Sequence, residues 1–357
     1  MTPYPLHVIG PSPVRSRAWV GVLACLGVAL AAEAVSGLAR TQGITLGALT
    51  VALILGVSVG NATPRRTGSW SEGVIFAKKH LLRFGIVLYG FRLTLTDFEA
   101  GGLSILMIDS LVLLSTFSLA MLFGVRVLKL DVTTAALIGA GASICGASAV
   151  LATAPVIGAK AAQASIAVST VAVFGTAALL LYPALYRLNA EQAWLPGGAH
   201  GYGVYIGSTV HEVGQVVAIA NATGTATADT AVVAKMGRVA LLAPFLLALA
   251  LWRRKASGAS DECVTRLRDA MPWFPVLFVF AVLVNSFAPL ESVRPAIGWL
   301  DTLALAMAMA ALGISTRLDA LKAAGPKPLV LAGALFVWLV IAGALINVAV
   351  STLAASQ

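Results

Sequence analysis

Gly139-Ala-Gly-Ala-Ser143-Ile-Cys145-Gly146-Ala-Ser148 interrupts an apolar run that extends from residue 135 to residue 159. Glycine and serine at this density lower helix stability and release backbone amides. In lipid, such unwinding is tolerated only where it lines a cavity or is buried in protein. What surrounds the segment therefore decides how it is read, and composition answers that. Of the 357 residues, 59% are hydrophobic and only 11% are charged, whereas a soluble domain averages about 25% charged residues. The mean hydropathy is +0.92. The chain reads as an all-α, polytopic membrane protein. Cys25, Cys145 and Cys263 are too few and too scattered for a disulfide framework or a thiolate metal cluster.

Outward from this segment, eleven apolar runs fall near 19–39, 44–61, 80–95, 103–125, 135–159, 164–186, 202–222, 230–252, 272–289, 296–316 and 328–351. Reading them all as crossings divides the basic residues unevenly. With the N-terminus inside, 18 of the 24 lysines and arginines lie in cytoplasmic segments and 4 outside, while Lys235 and Arg238 stay within a span. By the positive-inside rule this predicts N-in and C-out. It also removes the nucleic-acid reading of the net charge of +9, because the basic excess is spread over short loops. The chain is expected to be one transmembrane domain, with a cytoplasmic tail over 1–18 and a polar cytoplasmic loop over 253–271. Two internal matches suggest repeats. One lays Gly90 on Gly313 in opposite directions; the other, at an offset of 61, lays Gly146 on Gly207 and Pro183 on Pro244 in the same direction.

A half-helix beginning near Gly146 would aim free N–H groups and its positive dipole end at an anion. Ser143, Gly146 and Ser148 are candidates for such a site, although small residues also serve close helix packing. A second interrupted run reads Gly201-Tyr-Gly-Val-Tyr-Ile-Gly207-Ser208-Thr209-Val-His211-Glu212-Val-Gly-Gln215. Ser208 and Thr209 offer hydroxyls. His211 and Glu212 are ionisable groups at a depth where they are costly unless paired or hydrated, so they are candidates for proton coupling. Continued as one helix, the run would put His211 and Gln215 on one face, and Ser208 and Glu212 on another. An ion pair between Glu212 and Lys235 or Arg238 would explain the carboxylate without any function. The start of a zinc helix, His-Glu-x-x-His, fails because its second ligand position is Gln215.

Lys235 and Arg238 stand one helical turn apart, to be relieved by an anion, by Glu212 or Asp229, or by snorkelling. Asp109 and Asp301 are isolated carboxylates in apolar runs, and Asp109 is a candidate coupling site for a cation or proton. Arg92 reads as part of a local charge cluster with Asp97 and Glu99.

Five segments together carry a resemblance: Ala77 to Thr94, Ile138 to Thr153, Gly207 to Val217, Lys235 to Pro244 and Leu300 to Gly313. With these the chain resembles the YeiH-type family of bacterial inner-membrane proteins, labelled sulfate exporters, in order from about Leu46 to Leu345. The family resembles secondary transporters such as bile-acid symporters and cation/proton antiporters, which are built from inverted repeats with two crossing broken helices. That implies a binding site near the midplane. Some relatives carry an acidic residue where this chain has Ala154, so coupling here falls to Glu212 and Asp109.

The resemblance implies a secondary transporter that exports a small anion, sulfate or sulfite first, coupled to protons. Its partners would be the anion, a coupling ion and the bilayer, with no cofactor, no metal and no nucleic acid; a homodimer stays open. A sodium-coupled carrier of organic anions or sulfonates is the alternative. An intramembrane enzyme built on Cys145 and His211 is a remoter one, and no enzyme activity is expected.

Overall fold

The computed structural model describes residues 18–41, 47–63, 69–96, 102–257, 273–288, 291–316 and 324–355, and among these there is no strand. Residues 1–17 of the expected tail (1–18) and 258–271 of the expected polar loop (253–271) lie outside the described residues, as does Cys263. The helices are α1 (Trp19–Thr41) and α2 (Ala48–Ala62). Then comes α3 over 69–92, with a π-helical turn at Ala77–Leu81. They continue as α4 (Gly102–Val127), α5 (Val132–Ser143), α6 (Ala147–Ile157) and α7 (Ala161–Gln192). After these are α8 (Gly198–Thr209), α9 (Val213–Thr223), α10 (Thr225–Ala240) and α11 (Leu242–Ser257). Last are α12 (Phe274–Phe287), α13 (Arg294–Ser315) and α14 (Pro326–Ala355). Six helical stretches are long and apolar enough to cross a membrane, and five shorter ones are apolar as well. The protein is an all-α polytopic membrane bundle.

The fifth and seventh apolar runs are not crossings. Each is a helical hairpin that returns to the end of the bundle from which it entered. In the first, α5 is 12 residues long and α6 is 11, each under 20 Å at about 1.5 Å per residue. Asp131, which caps α5, accepts from Thr134 N at 2.9 Å and from Gln163 Nε2 at 2.8 Å, so α5 and α7 begin side by side. In the second, α8 and α9 are again 12 and 11 residues. His200 near the start of α8 lies 2.8 Å from Thr230 near the start of α10.

The hairpins enter from opposite ends. Helix α7 carries the chain from the end where the first opens to the end where the second opens. Among the described residues, nine helical runs join the two ends: α1, α2, α3, α4, α7, α10–α11, α12, α13 and α14. A shift of 66 residues, Val132 onto Gly198, superposes helix, three-residue break and helix of one hairpin on the other. This is an inverted repeat, and it replaces the offset of 61. It sets Cys145 against His211 and Gly146 against Glu212.

Two groups of helices pack among themselves. Helices α1, α2, α3, α12 and α13 form one, drawn together by glycines: a Cβ on Gly56 of α2 would stand 2.4 Å from Ala310 O of α13. The hairpins, α4, α7, α10, α11 and α14 form the other. At their seam Gly214 of α9 lies against Met309 of α13 and Leu82 of α3.

Candidate functional site

The two breaks, 144–146 and 210–212, meet deep in the bundle. A helix leaves its last carbonyls and its first N–H groups without partners inside the helix. Two hairpin tips therefore bring two negative and two positive helix ends together. In an apolar interior each unpaired group costs about 1–3 kcal/mol, so the sequence must supply partners.

The carbonyl ends are met by α10. Lys235 Nζ donates to Ile144 O at 2.7 Å and to Val210 O at 2.6 Å. Arg238 donates through Nε to Ser143 O (2.7 Å), through Nη2 to Ala142 O (2.7 Å) and through Nη1 to Ser208 O (2.6 Å). Both residues are 0% exposed. The two cations bind each hairpin to the other through backbone oxygens, with Glu212 contributing to Lys235 through its field. Close packing of α8 on α10 aims them there: a Cβ on Gly207 would stand 2.4 Å from Ala231 O.

The N–H ends are met by Glu212. It is the N-cap of α9 in a capping-box arrangement with Gln215, whose Oε1 accepts from Glu212 N at 3.2 Å. The same carboxylate reaches across to the other hairpin, where Oε1 accepts from Ala147 N at 3.3 Å at the start of α6. Gly146 makes room for it at φ +67°, with a Cβ there standing only 2.5 Å from Glu212 Cγ.

The remaining candidates divide. Ser143 Oγ turns back to Ala140 O at 3.4 Å. Ser208 Oγ donates to Tyr205 O and accepts from Asn347 Nδ2. Thr209 Oγ1 donates to Tyr205 O and accepts from the Tyr182 hydroxyl at 2.8 Å. These three hydroxyls are buried in the scaffold of the tips. Ser148 differs, lying exposed one residue beyond Ala147, on the open flank of α6 that also carries Leu151. His211 lies in the break, its ring 6.2 Å from Phe336, and its Nδ1 is buried without a hydrogen-bond partner. With His211 and Glu212 in the break, the helical faces expected to run across residue 211 do not exist.

Asp109 is fully buried on α4 with neither oxygen hydrogen-bonded. It stands against Gly237, in the field of Arg238 and Lys235. Arg92 finds its partner on α13: it pairs with Asp301 at 2.7 Å and donates to Gly298 O and Thr302 Oγ1. The capping role of Gln215 and the carbonyl contacts escaped the sequence reading. Gln215 could have been found from the Glu-x-x-Gln spacing of a capping box. The carbonyls of Ala142, Ile144 and Val210 carry no side-chain signal at all.

The family model described as "Conserved hypothetical protein 698" matches residues 20–332. A UPF0324 membrane protein of Pseudomonas aeruginosa is 49% identical over 328 residues, covering 89% of this chain and 91% of the relative. The UPF0324 inner membrane protein YeiH of Salmonella typhi is 48% identical over 331 residues, 92% of each chain. YeiH of Escherichia coli K12 is 48% identical over 315 residues, 88% of each. The chain belongs to the UPF0324 family of YeiH-type membrane proteins.

Proposed function

We propose that this protein is a secondary transporter of the bacterial inner membrane that moves a small inorganic or sulfonated anion, sulfate or sulfite first, with proton coupling at Glu212 and His211. The observation that carries the reading is the meeting of two helix N-termini, from opposite ends of the bundle, at one buried point. Irregular backbone at that depth is the usual place for a transported solute, and converging N–H groups select an anion. Ser148 and the amide of Ala147, beside Gly146, are the groups nearest an open surface. Lys235 and Arg238 act here at one remove, holding the tips together and contributing positive field.

The opposite ends of the bundle fit alternating access. Assigned by the helix ends that flank them, 18 basic residues again fall on one side and 4 on the other, because Lys160 and Arg187 exchange sides. N-in, C-out orientation follows from that asymmetry. For the sodium-coupled alternative the favourable observation is Asp109, a buried carboxylate with free oxygens, but two cations flank it and oppose a third.

The test is radiolabelled sulfate flux into proteoliposomes with and without an imposed pH gradient. Wild type should move sulfate only with the gradient, and Glu212→Gln should lose gradient-driven flux. Flux that follows a sodium gradient and ignores pH would transfer the role to Asp109. A folded protein that moves neither sulfate, sulfite nor a simple sulfonate would defeat the anion reading.

A further inference from the structure

The Glu212 carboxylate stands where a transported anion would have to stand. It accepts from Ala147 N at the start of α6 and stands at the N-cap of α9 in a capping-box arrangement with Gln215, so a single carboxylate lies at two helix N-termini. The site is shaped around that carboxylate, since Gly146 leaves no space for even a methyl group beside Glu212 Cγ. Two polar atoms of neighbouring residues are left over: His211 Nδ1 and Gln215 Nε2 have no hydrogen-bond partner, in residues 2% and 0% exposed. Ser148, next to Ala147, is exposed on α6.

We propose that Glu212 is the built-in occupant of an anion seat, and that the transported oxyanion enters by displacing it. This rests on the anion-transport reading above and settles what that reading leaves open, the sign of the coupling. Charged Glu212 and an incoming oxyanion exclude each other, because they repel and because they need the same N–H groups. Protonation of Glu212 removes both obstacles: the neutral carboxyl gives up its hold on the N-termini and the anion takes its place. When the anion leaves, the carboxyl sheds its proton and returns to the seat. No covalent bond to the anion is made or broken; one O–H bond forms on loading and breaks on release. The proton and the anion therefore cross together, and acid on one side drives anion toward the other.

Other titratable or charged groups face this point. They are Cys145 on the first tip, His211 on the second, Lys235 and Arg238 on α10, Asp109 on α4, and Arg83 of α3, which lies within electrostatic reach of Cys145. Lys235 and Arg238 are tied to carbonyls and Asp109 lies behind them, so Glu212 is the carboxylate in contact with the free N–H groups.

The experiment is equilibrium binding of radiolabelled sulfate to the full-length protein in detergent, from pH 5 to pH 8, with proton uptake followed by an indicator dye. Wild type should bind about tenfold tighter for each pH unit lowered while Glu212 is ionised, and take up one proton per sulfate. Glu212→Gln keeps an acceptor oxygen for the two helix ends. It should bind with the wild type's low-pH affinity throughout and take up no proton. Glu212→Ala, checked for monodisperse elution, should behave likewise. Sulfate affinity in wild type that ignores pH would overturn displacement but leave an anion site in place. A pH dependence that survives in Glu212→Gln and disappears in His211→Gln would move the proton to His211 and overturn it too. No binding of sulfate, sulfite or methanesulfonate to any of the proteins at any pH would defeat both this inference and the anion reading.

Discussion

The two hairpin tips have the same geometry and different chemistry. Each is a helix of 12 residues, a break of three and a helix of 11. Yet Cys145 and Gly146 occupy in the first the places that His211 and Glu212 occupy in the second. The first tip provides space and a helix N-terminus. The second provides the carboxylate that serves both N-termini. The shared cations of α10 treat the tips alike, since Lys235 takes one carbonyl from each. The repeat thus preserves what the backbone needs, and the ionisable chemistry is concentrated on one copy. A site between two equivalent tips needs only one carboxylate, and a second at residue 146 would put like charges in contact.

The comparison predicts unequal responses to substitution. The largest belongs to the shared cation. Arg238→Met leaves the carbonyls of Ala142, Ser143 and Ser208 without their donor and should cost several kcal/mol, at about 1–3 kcal/mol for each orphaned carbonyl. Thermal melting in detergent should show a large drop or no folded protein, whereas a variant that melts with wild type would mean the tips do not depend on this cap.

Next comes Gly146→Ala. It forces a side chain into the +67° conformation and against Glu212 Cγ, and the backbone strain alone should cost about 1–3 kcal/mol. Melting checks the cost. Cys145→Ala, at the neighbouring position, should stay within about 1 kcal/mol of wild type, and equal losses from the two would erase the special place given to Gly146.

The serines of the two tips sharpen the contrast further. Ser208→Ala removes a hydroxyl with two buried partners, Tyr205 O and Asn347 Nδ2, and should cost about 1 kcal/mol. Ser143→Ala loses a single long bond to its own helix and should cost less. A reversed order in chemical-denaturation midpoints would place the structural load on the wrong tip.

The smallest effect lies at the foot of the first hairpin. Partial burial pushes the Asp131 carboxyl up, but hydrogen bonds from Thr134 and Gln163 outweigh it and hold the group below its ordinary value. Stability from this group is therefore complete above about pH 4, the unfolded carboxylate value, and is lost as pH falls through the lower folded value. Asp131→Asn should melt slightly below wild type at pH 7, with the gap closing in acid. A gap that persists at pH 3 would show that the charge is not what matters there.

Much of this architecture is legible in the sequence. Eleven apolar segments are visible because lipid demands long uncharged runs, and the breaks are visible because Gly139 to Ser148 and Gly201 to Gln215 crowd glycines and hydroxyls into such runs. The fold-back is not visible. A hairpin of two short helices and a break uses as many apolar residues as a crossing, so hydropathy cannot separate them. Charge asymmetry gives no warning either, because reading two hairpins as crossings moves Lys160 one way and Arg187 the other. Residue matching lays Gly146 on Gly207 rather than on Glu212 because the equivalent tip residues, Gly146 and Glu212, share no chemistry. Lys235, Arg238 and Glu212 stand out as buried charges, but their partners are backbone groups, and any sequence can supply those.

Hairpins that enter from opposite faces and meet at Glu212 differ from simple crossings in the sidedness of their flanking loops. Lys129, Lys160 and Arg187 are exposed. Each would be replaced singly by cysteine in a background with Cys25, Cys145 and Cys263 removed, then labelled with a membrane-impermeant maleimide in right-side-out and inverted vesicles. Lys160→Cys should label from the same face as Lys129→Cys, and Arg187→Cys from the other. Lys160→Cys labelling opposite to Lys129→Cys, with Arg187→Cys on the same face as Lys129→Cys, would mean eleven simple crossings and would contradict the hairpins' opposite entry.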